Sequence, residues 1–286
     1  MNTKIIWKPI HPIANLLVKY LQLPDHPMKV RFILAIMGKF FPEGIIVENF
    51  YGAKIMVDPE DYIGWSILSQ GDYEGQTLAF ATNLLNPGGI FLDIGANFGL
   101  FTCCLGMLPN VTCYAIEPFA KNFLQLQNNV NLNPKISAKL FNLALDKKVR
   151  LLEMEEYNTK NSGAARVSLE TLSTTKKHTV IATTLQNILE NSKIEYIDLM
   201  KIDVEGYELP ILEGLNWEGG CRPRNIIIEF TDYSSRTEGE GKKTILDFFS
   251  SRDYEGMTID GKPLSLEHSI LEDNAYFKDI RYYHQS

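Results

Sequence analysis

The sequence predicts an α/β fold built on a doubly wound, mostly parallel seven-stranded sheet. Two observations carry this prediction. From Asp61 onward, short apolar runs alternate with helical patterns, which is typical of parallel strands joined by right-handed crossovers. In addition, acidic residues directly follow several of these runs, and ligands of such sheets bind at the carboxyl ends of the strands. The chain of 286 residues is 45% hydrophobic and can form a sizeable core.

The first 44 residues are expected to form a helical extension ahead of the main domain at 45–286. Helical spacing of apolar residues predicts helices at 14–21 and 28–40. Residues 1–42 carry six lysines or arginines against the single acid Asp25. The simplest interpretation is packing on the main domain. A weak contact with an anionic membrane surface or a partner, and a substrate lid, are the alternatives.

The main domain is expected to begin with a β-hairpin at 45–58, turning at Tyr51-Gly52. The seven strands predicted for the sheet are runs of apolar and β-branched residues, at 90–94, 111–116, 140–145, 197–203, 225–230, 254–259 and 275–280. The helices predicted between them lie at 73–85, 100–108, 120–129, 183–189, 208–215 and 244–251. Residues 146–180 interrupt this alternation and are expected to form an inserted antiparallel hairpin.

Composition narrows the class of protein. The net charge of −7 argues against a basic nucleic-acid-binding surface, so no nucleic-acid partner is expected. No C-x-x-C pair occurs among the four cysteines, which does not favour a zinc site or a disulfide framework. No run approaches the length needed to span a bilayer, and no secretory signal is evident. These features predict a soluble, cytoplasmic protein.

The stretch FLDIGANFGLFT at 91–102 predicts a ligand-binding turn. Asp93 ends an apolar strand, and Gly95 and Gly99 flank the start of the next helix, whose N–H groups are unpaired. Asn97 stands where a dinucleotide fingerprint has its second glycine. A carboxylate beside the turn suits an ammonium or sulfonium group better than a pyrophosphate.

A second acid strengthens this interpretation. Glu117 ends the next predicted strand, 24 residues after Asp93. An acid at about this separation, roughly 20 residues, is expected to bind ribose hydroxyls. The ligand should therefore contain adenosine, which both NAD and S-adenosylmethionine do.

A third cluster follows the fourth strand, in KIDVEGYE at 201–208. If the strand continues, Asp203 and Glu205 share one face because side chains alternate. Two carboxylates there could bind an ammonium group, accept a proton from a hydroxyl or hold a divalent cation. Capping of the following helix is the structural alternative.

Together these residues resemble the FkbM family of S-adenosylmethionine-dependent methyltransferases, which have the Rossmann-like class I fold. The resemblance covers roughly residues 51–280 and is carried by FLDIGANFGLFT, AIEP at 115–118, KIDVEGYE and Tyr73-Glu74-Gly75. It implies S-adenosylmethionine as cofactor. The residues it implies for cofactor binding are Glu74, Asp93, Gly95, Ala96, Asn97, Gly99, Glu117, Asn142, Ala144 and Asp203. Among them, the turn would hold the methionine part, Glu117 the ribose, and Asn142 and Ala144 would border the adenine.

The chemistry that follows is methyl transfer, most simply O-methylation of a hydroxyl on a small molecule, sugar or secondary metabolite. Asp203, or Glu205 beside it, would orient or deprotonate the hydroxyl, with Glu229 in reserve. No metal site is predicted, although the three carboxylates leave a divalent cation open. Tyr157, Arg166 and Tyr233 could line an acceptor pocket. A nicotinamide-dependent oxidoreductase and a non-catalytic cofactor-binding or membrane-associated module are the alternative functions.

Overall fold

The computed structural model describes residues 4–23, 26, 28–156, 165–167, 176–219, 221–231, 241–266 and 273–283. Its N-terminal part contains β1 (Trp7–Pro9), α1 (Pro12–Leu21), α2 (Lys29–Phe40), β2 (Ile45–Asn49) and β3 (Lys54–Val57). The two predicted helices and the hairpin are present. The strand β1 was not predicted, because three residues are too short to show an alternating pattern. It pairs antiparallel with β2 and completes a three-stranded sheet.

Two helices lead into the main sheet, α3 (Tyr62–Gln70) and α4 (Gly75–Leu84). The first begins where the Asp61 side chain accepts hydrogen bonds from two backbone N–H groups, and it ends at Gly71 in the left-handed region. Backbone bonds from Ile5 to Gly75 and from Trp7 to Gly71 attach the N-terminal segment here.

The remaining elements follow in regular order. The strands are β4 (Ile90–Ile94), β5 (Thr112–Ile116), β6 (Ser137–Phe141), β7 (Ala144–Leu145), β8 (Arg150–Glu156), β9 (Ala165–Val167), β10 (Lys176–Thr183), β11 (Ile197–Ile202), β12 (Pro223–Glu229), β13 (Tyr254–Thr258) and β14 (Asn274–Asp279). The helices are α5 (Leu100–Leu105), α6 (Ala120–Asn131), α7 (Leu185–Ser192), α8 (Glu208–Glu213), α9 (Lys242–Ser250) and α10 (Ile280–Tyr283).

The main sheet confirms the predicted fold class. Seven strands lie in the order β13-β14-β12-β11-β4-β5-β6, and β14 alone among them runs antiparallel to both of its neighbours. The chain leaves β4 toward β5 and β6, then returns to place β11 on the other side of β4. Strand order therefore reverses between β4 and β11, and a crevice is expected at their carboxyl ends.

The insertion after β6 is larger than the predicted hairpin. Its antiparallel pair β8 and β10 is joined by β7 and β9 in a separate four-stranded sheet. The single strand predicted at 140–145 is divided between the two sheets. The division falls at Asn142, which lies between β6 and β7. Its side-chain amide donates hydrogen bonds to the backbone carbonyls of Glu117 and Pro118.

The sheet separates two apolar layers. Side chains alternate, so that Phe91 and Leu199 pack on one face and Leu92 and Met200 on the other. The N-terminal segment contributes Trp7 and other buried residues to the first layer. All four cysteines are free thiols, and three of them are buried. Within the described parts of the chain, no helix has the length and hydropathy needed to cross a membrane.

Candidate active site

A cleft lies at the carboxyl ends of β4 and β11, with about 1110 Å³ of empty space that is partly open to solvent. It brings together nine of the residues predicted for the site: Glu74, Asp93, Gly95, Ala96, Asn97, Glu117, Asp203, Glu205 and Glu229. They come from segments far apart in the chain. Their meeting follows from the reversal of strand order described above.

Asp93 is held by the start of the helix that follows it. Its Oδ2 accepts hydrogen bonds from the hydroxyl of Thr102 at 2.6 Å and from the Thr102 backbone N–H at 3.1 Å. The residue is 1% exposed. Burial raises the pKa of Asp93, while Lys201 and the bonds from Thr102 act in the opposite direction. Asp93 therefore braces the turn against α5 at the floor of the cleft.

Gly95 lies directly against the backbone that follows β11. Its φ of 80° lies in the left-handed region. A Cβ at this position would lie 1.9 Å from the backbone oxygen of Asp203. The N–H groups of Gly95 and Ala96 both donate to the carbonyl of Ile116 at 3.0 Å. A side chain at residue 95 would thus push the turn away from the end of β11.

Asn97 takes the place of the middle glycine of a dinucleotide turn, as the sequence indicated. It adopts a φ of 50°, which asparagine tolerates better than most residues. Its side-chain Oδ1 is buried and has no hydrogen-bond partner in the protein. A buried acceptor without a partner costs free energy unless a ligand donates to it. The residues present therefore fit a ligand with donor groups, such as the ammonium of S-adenosylmethionine.

Glu117 lies at the end of β5 and faces the same cleft. One carboxylate oxygen accepts from the N–H of Asn97 at 2.9 Å and the other from the N–H of Phe119 at 2.8 Å. Burial raises the pKa of Glu117 to about 7, although these two bonds lower it. A carboxylate offers about four acceptor positions, so each oxygen retains capacity for a hydroxyl.

Asp203 lies beyond the end of β11 and is paired with a buried lysine. The Nζ of Lys201 is 2.7 Å from the Oδ2 of Asp203 and 3.8 Å from the Oε2 of Glu74. The side chain of Asp203 is 29% exposed, whereas that of Lys201 is 4% exposed. Asp203 can therefore contact a ligand in the cleft while its carboxylate stays paired with the buried ammonium group of Lys201.

The remaining acids of the cluster have different surroundings. Glu205 is exposed at the cleft and adopts a φ of 55°. Glu229 is half-buried, and burial together with nearby Asp203 and Glu208 raises its pKa well above the usual range. Glu208 is fully buried and accepts from the N–H groups of Val204 and Gly206. Glu208, the first residue of α8, thus closes the turn after β11, and the N-cap residue Tyr207 makes no side-chain capping bond.

Three residues predicted to bind the cofactor do not line the cleft. Gly99 is the N-cap of α5 with a φ of 89°, and a Cβ there would lie 2.5 Å from Leu126. The side-chain amide of Asn142 donates hydrogen bonds to the carbonyls of Glu117 and Pro118. Ala144 is buried in the four-stranded sheet. Their predicted contacts with the cofactor remain predictions.

Several lining residues were not predicted from the sequence. Lys201 and Tyr73 belong to motifs that were singled out, and Lys201 precedes Asp203 by two residues, so extending the predicted alternation back along the strand could have found it. Phe119, Asn122 and Met154 line the cleft beside Glu117, and Asp273 and Asn274 enter from the last strand. Tyr157 and Tyr233, and the side chain of Arg166, lie outside the described residues.

Metal ligation has no support in the described ranges, where no group of three or more His, Cys, Asp or Glu side chains could hold a metal ion. In the cleft, Asp203 contacts Lys201, Asp93 accepts from Thr102, and Glu117 accepts from backbone N–H groups.

The sheet order, the glycine turn and the acid at the end of β5 define a Rossmann-like class I methyltransferase. The family model of the methyltransferase FkbM domain matches residues 93–255, which is more than half of the chain. The protein therefore belongs to the FkbM family of methyltransferases, and its cofactor is S-adenosylmethionine. The nicotinamide-dependent alternative is set aside.

Solved structures with a similar fold are distant in sequence. A TehB-like SAM-dependent methyltransferase from Corynebacterium glutamicum is 13% identical, with 75% of this chain and 93% of that chain covered and a TM-score of 0.41. An rRNA methylase from Streptococcus thermophilus is 13% identical, with coverage of 72% and 95% and a TM-score of 0.38. The METTL16 methyltransferase domain is 11% identical, with coverage of 90% and 92% and a TM-score of 0.44. No curated protein sequence matches the chain significantly.

The prediction that this protein has no nucleic-acid partner is wrong. An rRNA methylase is among the proteins that share this fold. The physical reason is that the net charge of a whole chain does not specify the charge of the surface that meets the acceptor. The value of −7 therefore does not decide the acceptor class.

Proposed function

We propose that this protein is an O-methyltransferase in which Asp203 receives the proton of the acceptor hydroxyl. The observation that carries the proposal is the position of Asp203. It lines the cleft where the strand order reverses between β4 and β11, and its side chain remains partly exposed. Its Oδ2 lies 2.7 Å from the Nζ of Lys201. Glu205, which is exposed at the same opening, is the alternative acceptor of the proton.

The donor would occupy the deeper part of the cleft. Its ribose hydroxyls would bind Glu117, and its adenine would lie against Phe119 and Met154, which are buried beside that carboxylate. Its ammonium would face Asn97 and the acids around the glycine turn. These contacts leave the sulfonium side toward Asp203 and the opening.

Bound S-adenosylmethionine supplies an electrophilic methyl group on a sulfonium. The protein must hold a hydroxyl oxygen about 3 Å from that carbon and in line with the bond that breaks. The acceptor oxygen would take the methyl group in exchange for the bond to sulfur, and Asp203 would receive the proton that the hydroxyl loses. S-adenosylhomocysteine is the leaving product.

Glu229 would have another role in this arrangement. Its raised pKa favours the protonated form at neutral pH, so it would donate a hydrogen bond to the acceptor rather than remove a proton. The three predicted catalytic acids would then have different roles. Asp203 would accept the proton, Glu205 would be the alternative acceptor, and Glu229 would donate a hydrogen bond.

The test is methyl transfer from labelled S-adenosylmethionine to three pools: hydroxylated small molecules, saccharides and total RNA. We expect labelled methyl ethers, and a loss of turnover of about 10²-fold or more in Asp203→Asn with S-adenosylhomocysteine affinity retained. Near-normal turnover in both Asp203→Asn and Glu205→Gln would contradict the proposal. So would label found exclusively on nitrogen or carbon, in whichever pool it appears.

A further inference from the structure

Lys201 is an unusual residue for the centre of a sheet. It lies on β11 opposite Asp93 of β4, and it is 4% exposed. Its Nζ contacts Asp203 at 2.7 Å and Glu74 at 3.8 Å, and lies 4.5 Å from the centre of the Phe101 ring. Burying an ammonium group is costly unless charges and aromatic faces compensate for the lost hydration.

The charges around Lys201 are strongly unbalanced. Among the described residues that line the cleft, seven are acids and Lys201 is the one lysine or arginine. Burial alone would lower the pKa of Lys201, but Asp203, Glu74 and Asp93 raise it overall. Lys201 is therefore charged throughout the neutral range, and it keeps these three acids close together at a tolerable electrostatic cost.

The three acids reach Lys201 from different elements. Asp93 comes from β4, Asp203 from the segment after β11, and Glu74 from the N-cap of α4. Glu74 also accepts a hydrogen bond from Asn274 at 3.4 Å. The ring of Phe101 on α5 also packs near the Lys201 ammonium group. One ammonium group thus connects the two halves of the sheet with the helix that borders the cleft.

We propose that Lys201 is a positioning residue that orients Asp203 toward the acceptor and keeps it ionised. The proposal rests on the role of Asp203 proposed above. Without Lys201, Asp203 would face Glu74 and Asp93 with no opposite charge nearby. It would then turn toward solvent or bind a proton, and either change removes it from use as the proton acceptor.

The first experiment is the pH profile of methyl transfer for wild type, Lys201→Met and Lys201→Arg. In Lys201→Met we expect kcat to fall about 10²-fold, as for a misplaced catalytic group, with the KM for S-adenosylmethionine changed less than about threefold. The acid limb of the profile should move to higher pH. Lys201→Arg keeps the charge and should restore the position of that limb.

Lys243→Met is the matched control, because Lys243 forms an exposed pair with Asp247 on α9, away from the cleft. It should leave the profile unchanged. If Lys201→Met lowers thermal stability but keeps the wild-type profile and kcat, Lys201 is merely structural and the proposal fails. If Lys201→Met does not fold, Lys201→Gln, which retains a polar head group, takes its place.

The second experiment needs no acceptor and separates this proposal from the proposed function. Calorimetry with S-adenosylhomocysteine in two buffers of different ionisation enthalpy counts the protons exchanged on binding. Wild type should release protons on binding through Glu117, whose pKa is about 7. We expect additional release in Lys201→Met, and a return to the wild-type count in the double variant Lys201→Met/Asp203→Asn. Equal proton counts in wild type and Lys201→Met overturn the inference even if Asp203→Asn is inactive. Conversely, an active Asp203→Asn variant overturns the proposed function while the proton counts still decide the ionisation of Asp203.

Discussion

The carboxylate of Glu117 accepts a hydrogen bond from the backbone N–H of Asn97 at 2.9 Å, across 20 residues of sequence. This bond connects the end of β5 to the glycine turn after β4. The residue predicted to bind ribose therefore also shapes the turn predicted to bind methionine. A change at Glu117 should affect both parts of the cofactor site.

We expect Glu117→Gln to weaken S-adenosylhomocysteine binding by about 10- to 100-fold, the cost of losing hydrogen bonds to a charged acceptor. Calorimetry with S-adenosylhomocysteine and its 2′-deoxy analogue separates the two roles. Wild type should discriminate between them and the variant should not. Because the pKa of Glu117 is about 7, wild-type affinity should rise between pH 6 and pH 8, and Glu117→Gln should lose this rise. Discrimination that survives the substitution would assign the ribose to another residue.

Gly95 offers a test of the close approach between β4 and β11. In Gly95→Ala the new methyl group would meet the Asp203 backbone oxygen at 1.9 Å. Gly88→Ala is the matched control, since Gly88 has a φ of 83° and no atom within 4 Å of the added Cβ. We expect Gly88→Ala to cost about 1 kcal/mol of unfolding free energy from backbone strain alone. Gly95→Ala should cost clearly more and should lose S-adenosylhomocysteine binding; equal effects in both variants would contradict this account.

Thr102 tests the bracing of Asp93. Thr102→Val keeps the shape of the side chain but removes the hydroxyl that donates to Asp93 at 2.6 Å. We expect a loss of about 1–3 kcal/mol in unfolding free energy by urea titration, because the buried carboxylate loses a donor. Thr102→Ser retains the hydroxyl and should recover most of that loss. A valine variant as stable as wild type would show that the hydroxyl is dispensable.

The pKa values of Glu208, which is buried, and of Glu229, which is half-buried, predict how stability depends on pH. Burial raises the pKa of each in the folded protein above its ordinary value. The folded state then binds protons more tightly than the unfolded state, so the contribution of these groups to stability falls as pH rises from about 4.5 through the raised values. Between pH 5 and pH 8, urea titrations should show unfolding free energy decreasing.

Glu208→Gln and Glu229→Gln should each flatten this decline, because an amide does not titrate. The effect should exceed about 1 kcal/mol at pH 8 relative to pH 5. Exposed Glu218, substituted in the same way, is the control and should leave the slope unchanged. An unchanged slope in either variant would mean that the carboxyl it replaces is ionised in the folded protein at neutral pH, as it is in the unfolded chain.

Much of the fold could be predicted because its signals are local. Runs such as Ile90–Ile94 and Ile197–Ile202 show their strands in the residues themselves, and the glycine turn and the acid after β5 follow at fixed distances. The short β1 and the division of the chain at Asn142 were missed for a common reason. Both depend on partners far along the chain: β1 pairs with β2, and the side-chain amide of Asn142 donates to the backbone carbonyl of Glu117.

By itself, the sequence determined the order of strands and helices, the nature of the turn at Asp93 and the acids available for chemistry. Only the tertiary structure decided which of these residues meet. Glu74 and Asn274 are 200 residues apart yet share a hydrogen bond at the cleft, and Lys201 joins Glu74 to Asp203 within one charged cluster. The physical reason is that burial and Coulombic neighbours are set by the crossing of the chain between β4 and β11, and a local pattern does not record distances through space.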